Sequence, residues 1–216
     1  MKKLLKKIKA IWTNNYFNKK RLEKSKKILR KKYNNKNNIT IFSPNCIAGE
    51  IYNLLGLKFC SPLINTSLDR NDFVTFLENM DIYLNSVPVI RKNNDGSCFM
   101  SLGDNSVEKI IIQFPHDYNI DEVLQKWERR KKRIDKNNIY IICDDRGISK
   151  EKLDKINSLT VKKIIIFSSK ELGIKNNFVV KIYKNKNCVG KYNVKGLDGL
   201  YVFQHFFDCA DFLNDK

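Results

Sequence analysis

Histidine is almost missing from this chain of 216 residues, which holds only His116 and His205. Any imidazole chemistry therefore has two candidates. Acidic residues are nearly absent from the N-terminus. Residues 1–36 carry 15 Lys/Arg against Glu23 alone, a net of +14 out of +18 for the whole chain. The remainder is close to balanced, so the basic character does not mark the main domain as a nucleic-acid binder. None of the six cysteines forms a C-x-x-C pair, which argues against a disulfide framework or a zinc site and for a reduced, cytosolic chain. No stretch approaches ~18 uninterrupted apolar residues, so no membrane-spanning helix is expected. Lys6, Lys7 and Lys9 break what would be the apolar core of a signal peptide. P-loop, G-x-G-x-x-G, G-x-S-x-G and H-E-x-x-H patterns are all lacking, which removes the common nucleotide-binding and hydrolase signatures.

What is present fits one α/β domain over 39–216, preceded by a basic amphipathic arm and linker over 1–38. A hydrophobic content of 42% supports a real core. In the arm, Leu4, Leu5, Ile8, Ile11 and Trp12 share one helical face, with lysines around the rest. A second basic stretch, 19–32, carries a weaker apolar stripe of Leu22, Ile28, Leu29 and Tyr33, and the asparagine-rich stretch 33–38 reads as a linker. Such a helix suits an anionic membrane surface, reached through residues 1–33. Packing of its apolar face on the domain or on another chain is the alternative. A nucleic-acid partner is the least favoured, since aromatic interleaving is lacking.

From Ile39 onward, strand patterns alternate with helical ones. Strands are expected at 39–42, 108–114, 139–143, 162–167 and 178–183, and helices at 46–56, 69–80, 120–134, 149–159 and 200–213. Gly56 reads as a C-cap and Ser149 as an N-cap. Asn93-Asn94-Asp95-Gly96 marks a hairpin between 88–91 and 98–102. The triplet Ile110-Ile111-Ile112 reads as a strand buried on both faces. The alternation predicts an α/β fold with a largely parallel sheet covered by helices on both faces. Ligands then sit at the carboxyl ends of the strands. Those ends read Ser43-Pro44-Asn45-Cys46, Pro115-His116-Asp117, Asp144-Asp145-Arg146-Gly147 and Ser168-Ser169.

At that edge Cys46, where a strand gives way to a helix, is a candidate nucleophile, because a helix start favours a thiolate. A buried small residue is the plainer reading of the same position. His116 is the better-placed candidate base, with a structural capping role as the alternative. His205, among Val202, Phe206, Cys209 and Phe212, reads as packed. Arg130 falls on the apolar face of its helix and needs a partner, either a carboxylate such as Asp144 or an anionic substrate group. Asp144 could equally orient His116. Asp144-Asp145 is the one place where a divalent metal near a diphosphate would find acidic ligands, although no metal or cofactor is assigned.

The run Phe42-Ser43-Pro44-Asn45-Cys46-Ile47-Ala48-Gly49-Glu50-Ile51-Tyr52, followed by Leu55–Phe59 and Ser61-Pro62-Leu63-Ile64-Asn65, resembles a bacterial family. Its members are labelled exopolysaccharide biosynthesis proteins and carry domain of unknown function nineteen-nineteen. Phe114-Pro115-His116, Trp127 to Arg130 with Arg133, and 139–143 add to the resemblance, which covers about 39–215. Ala48 stands where glycine is expected. The order of Cys46, helix, Ser61-Pro62, His116 and an arginine-rich helix is also distantly similar to papain-like cysteine peptidases. The family resemblance implies an association with capsule or exopolysaccharide production without supplying a reaction, and the leading expectation is an enzyme of that process at the cytoplasmic membrane face. It would act on a sugar nucleotide, a lipid-linked glycan or its acyl group. Cys46, His116 and Asp144 would be catalytic, and Asn45, Ser61, Asn65 and Arg130 would bind substrate. A Cys/His hydrolase or transacylase and a non-catalytic accessory protein of the same machinery are the alternatives.

Overall fold

The computed structural model describes residues 2–214, with side chains from Asn15 onward. The face expected from Leu4 to Trp12 lies outside the described side chains. In chain order the first elements are α1 (Lys2–Lys32), β1 (Thr40–Phe42), α2 (Ile47–Leu55), α3 (Arg70–Glu78), α4 (Met80–Asn85), β2 (Val89–Lys92), β3 (Cys98–Leu102) and β4 (Ile110–Phe114). Then come α5 (Ile120–Lys131), β5 (Ile139–Asp144), α6 (Lys150–Ser158), β6 (Lys163–Ser168), β7 (Asn177–Val179) and α7 (Cys209–Leu213). Two compact units divide them. One holds Met1–Lys36, Ile51–Leu57 and Lys191–Lys216, and the other holds Asn37–Glu50 and Lys58–Gly190.

The larger unit is α/β. Its four strands run in the order β1-β5-β6-β7, and every neighbouring pair is parallel. β5 reads Ile-Tyr-Ile-Ile-Cys-Asp and is buried at every position, as a central strand covered on both faces must be. Short polar caps start the helices. The side chains of Asp69, Asn119 and Ser149 accept backbone N–H groups from α3, α5 and α6. Phe42, Phe73, Phe76, Phe114, Trp127, Ile141 and Ile166 fill the core around the sheet.

Between β1 and β5 the chain makes a long excursion that holds a second sheet. β2, β3 and β4 pair antiparallel there, and the hairpin expected at Asn93–Gly96 joins the first two. This corrects the reading of the segment 108–114. It does not belong to the parallel sheet, and it is not buried on both faces. Ile110, Ile112 and Phe114 point inward, while Ile111 between them is 42% exposed. An antiparallel sheet with one face on the core alternates in this way, and an all-isoleucine triplet hides that period.

The chain's end also departs from expectation. The strand placed at 178–183 stops at Val179 and turns into a 3-10 turn at Lys181–Tyr183. The helix placed at 200–213 is a 3-10 turn at Val202–His205 followed by the short α7. His205 is correspondingly exposed and lies 3.3 Å from Asp198.

In the smaller unit α1 is bound to the chain's C-terminal segment. Lys32 Nζ pairs with Asp208 and Asp211 at 2.7 and 2.6 Å. Leu22 is buried and Leu29 half-buried, but Ile28 is 57% exposed and leaves the expected stripe. The asparagine-rich stretch forms a bonded joint: Asn34 N–H donates to Asn214 Oδ1, and the buried Asn35 donates from Nδ2 to the Leu213 carbonyl at 2.8 Å. Asn35→Ala leaves that buried carbonyl short of a donor. It should cost about 1–2 kcal/mol, read as a lower urea midpoint at unchanged slope.

Candidate functional site

β1 ends at Phe42, and the next residues turn sharply into α2. Ser43 Oγ donates to the Asn45 carbonyl at 2.7 Å. Asn45 Oδ1 accepts the Ile47 N–H at 2.9 Å, which starts the helix. Cys46 is therefore held between a buried asparagine and the first helical residue. Its carbonyl already accepts the Glu50 N–H, so it stands at the helix N-cap. The side chain is half-buried.

His116 reaches this point from the second sheet. β4 delivers Pro115 and His116 into a turn closed by the Asp117 N–H on the Phe114 carbonyl. The segment after Asn65 ties that sheet to the end of β1. Ser67 and Gln113 exchange two backbone bonds of 2.9 Å, and the Leu68 N–H donates to the Pro44 carbonyl at 3.0 Å. Cys46 Sγ and His116 Nε2 are brought to 3.8 Å, although 70 residues separate them in sequence. His116 is exposed, so solvent reaches the pair. Burial pushes the Cys46 thiol up, and the negative charge of Glu50 pushes it the same way. Both effects favour the neutral thiol over the thiolate, with His116 Nε2 3.8 Å from the sulfur.

Asp144 has a different role from the one expected. Its side chain is fully buried at the end of β5. Arg70 and Arg146 each reach it with Nε and Nη2, at 2.7–3.0 Å. Asn45 Nδ2 adds a bond at 3.2 Å. Burial disfavours the charged form, but the two guanidiniums outweigh it and hold the carboxyl well below the usual range. Asp144 makes no hydrogen bond to His116. It orients Asn45, the residue before the cysteine. The two arginines were not singled out in the sequence; Arg146, two residues past Asp144, was the available signal.

Arg130 is buried as its place in the helix predicts, but Asp144 is not its partner. Its Nη1 donates to the Ile64 carbonyl at 3.1 Å, and its guanidinium stacks 5.3 Å above the Phe59 ring. Arg130 thus clamps the segment that contains Ser61 and Asn65. Ser61 Oγ is buried and accepts the Leu63 N–H. Asn65 takes a left-handed backbone, φ 60°, and its amide oxygen lies against Gly49 on the first turn of α2. Any side chain at 49 would strike that oxygen. Ser61, Asn65 and Arg130 belong to or hold the segment that closes on the first turn of α2, and Arg130 Nε is buried there without a hydrogen-bond partner.

Asp145 turns away from Asp144. Its carboxylate accepts the Ser169 N–H and the Val189 N–H, both at 2.8 Å, and so staples two loops. The two adjacent carboxylates therefore point to different partners and do not converge on one place. Among the described residues no group of three His, Cys, Asp or Glu side chains converges. Apart from the Cys46–His116 pair, Lys58, Lys132, Arg133 and Lys136 line a concavity of about 500 Å³ together with Asn38, Cys60 and Asp135.

Comparison with known proteins agrees with the motif around Cys46. The profile of a family described as a domain of unknown function (DUF1919) matches residues 16–214. It extends further toward the N-terminus than the motifs from residue 39 onward, taking in the whole basic stretch 19–32 and the asparagine joint. An uncharacterised protein of Haemophilus influenzae is 27% identical over 171 residues, which is 78% of this chain and 81% of that protein. Among the described residues no helix is long and apolar enough to cross a membrane.

Asp144→Asn strips the charge from a site built around it and leaves two guanidiniums without their anion. Loss of one partner of a buried pair costs about 3–5 kcal/mol, measurable by denaturant unfolding. The pH sign follows from the lowered carboxyl. Its contribution is complete above the unfolded value of ~3.9 and is lost as pH falls below it. The wild type should lose stability on acidification below about pH 4, and the variant should lose less over the same window.

Proposed function

The chain belongs to the DUF1919 family, and from that starting point we propose that it is a thiol-dependent enzyme of surface-polysaccharide assembly, transferring or hydrolysing an acyl group through Cys46 and His116. The carrying observation is the 3.8 Å contact between Cys46 Sγ and His116 Nε2 at the start of a helix. The polysaccharide setting is supported by the resemblance of the run from Phe42 to Tyr52. The acyl donor or acceptor is an activated sugar or a lipid-linked glycan. Its phosphates meet Lys58, Lys132 and Arg133 in the concavity that these residues line. The basic helix brings the protein to the anionic inner face of the cell membrane.

In the reaction Cys46 Sγ attacks the acyl carbonyl carbon while His116 Nε2 takes the thiol proton. The tetrahedral intermediate collapses, the carbon–oxygen bond to the leaving group breaks, and the imidazolium protonates the departing oxygen. The thioester on Cys46 is then opened by water or by an acceptor hydroxyl, whose proton returns through His116 to the thiol. N–H groups at the start of α2 favour the oxyanion at each tetrahedral stage. Asp144 is a positioning residue that acts through Asn45.

Cys46→Ser should abolish covalent acylation by a p-nitrophenyl ester, read by intact mass, without a change in Tm. His116→Ala should slow acylation by about 10²–10⁴ while the thiol remains present. Because the resting thiol is pushed up, alkylation of Cys46 by iodoacetamide should be slow at neutral pH and rise at a higher pH than a free cysteine. Wild-type polysaccharide output in a strain carrying Cys46→Ser would remove the nucleophile and favour the accessory reading.

A further inference from the structure

In the smaller unit the chain makes a tight turn at Lys195–Tyr201, with a β-bridge between those two residues. Leu197 lies at its tip and is fully exposed, at 102%. The turn is not loose. Asn18 Nδ2 donates to the Leu197 carbonyl at 3.0 Å, and Arg21 Nη1 donates to the Asp198 carbonyl at 3.1 Å. Gly199, at φ 83°, lets Asn18 of α1 sit against its backbone, where a side chain would collide. The protein thus fixes a leucine in water on a rigid mount beside α1. Tyr16 and Phe17, next to that mount, are 60% and 55% exposed and touch each other edge to face.

A groove of about 540 Å³ continues from this place. Arg21 and Lys24 stand on its rim, and Ile28, Leu200, Phe206 and Phe207 give it apolar walls. The cations outnumber the acids: Asp208 is bonded to Lys32 and Glu23 to Lys26, which leaves Asp198 against Lys20, Arg21, Lys24 and Lys27. Lys20, Lys24 and Lys27 lie on the same exposed helix, and Lys20 covers the Tyr16 ring at 5.6 Å.

We propose that this surface docks on an anionic phospholipid bilayer, with Leu197 and Phe17 entering the interface, Arg21 and Lys24 meeting lipid phosphates, and the groove receiving the upper part of an acyl chain. Exposed aromatic and aliphatic tips ringed by lysine are the composition that an anionic interface attracts, by charge and by apolar burial together. A soluble protein partner would not need the excess of cations. The inference rests on the membrane part of the proposed function and adds the docking site. The Cys46 chemistry does not depend on it.

The test is flotation of the full-length protein with vesicles of phosphatidylcholine alone or with phosphatidylglycerol added. Wild type should float only with the anionic vesicles. Leu197→Glu changes a side chain that supports no packing, so folding is preserved, and it should weaken flotation about tenfold. Lys24→Glu should weaken it several-fold and leave a smaller salt dependence. Two results overturn the proposal. If wild type floats and Leu197→Glu floats equally, basic residues alone drive binding and the turn is not inserted. If wild type floats with neither vesicle, the membrane reading itself falls, while acylation of Cys46 still reports separately on the enzyme. Flotation with neutral vesicles at the same strength would remove the phosphate contacts.

Discussion

A carboxylate with no access to water organises the reactive part of this protein. Asp144 closes β5, and an unpaired charge there would cost several kcal/mol. Its partners come from three separate places: Arg70 from the first turn of α3, Arg146 from the loop after β5, and Asn45 from the end of β1. Satisfying one anion therefore fixes three segments against the parallel sheet. Once its amide nitrogen is held by Asp144, Asn45 has its carbonyl oxygen free to receive the Ile47 N–H and start α2. The place of Cys46, between Asn45 and Ile47, is a consequence of how the buried charge is neutralised.

The histidine depends on a second, weaker chain of constraints. No strand of the parallel sheet carries it. The segment 61–68 bridges the gap, bonded to Pro44 at one point and to Gln113 at another. Arg130 grips the same segment from behind through the Ile64 carbonyl and the Phe59 ring. The left-handed Asn65 and the bare Gly49 let that segment close on α2. A buried arginine whose function is to hold a carbonyl explains why the motif Ser61–Asn65 accompanies the motif around Cys46. The two form one wall, and His116 arrives along its edge.

Much of this was legible from residue pattern. The buried strands 139–144 and 163–168 announce themselves by β-branched runs, and Asn93–Gly96, Gly56 and Ser149 by turn and cap chemistry. The inward face of Arg130 follows from helical spacing. The place of β4 beside the hairpin at Asn93–Gly96 was not legible, because three consecutive isoleucines carry no period and the inside and outside of the strand look alike. The partners of Asp144 were not legible either. Two arginines, 74 residues before it and two after, meet there through folding alone, and a lone sequence gives no sign that either is drawn inward. The closeness of Cys46 to His116 was inferred from a shared sheet edge that β4 does not belong to. The two meet through the 61–68 bridge instead, which is why the juxtaposition holds although the topology that suggested it does not.

That route has a consequence for the chemistry. In a triad an acid steadies the imidazolium, but Asp144 is already neutralised by two guanidiniums and bonds to neither ring nitrogen of His116. The acid whose charge is felt at the thiol is Glu50, in the first turn of α2. The same charge opposes the helix start, where N–H groups favour an anion. Glu50 and burial together thus work against a resting thiolate at Cys46, so the position at a helix start does not by itself activate the sulfur.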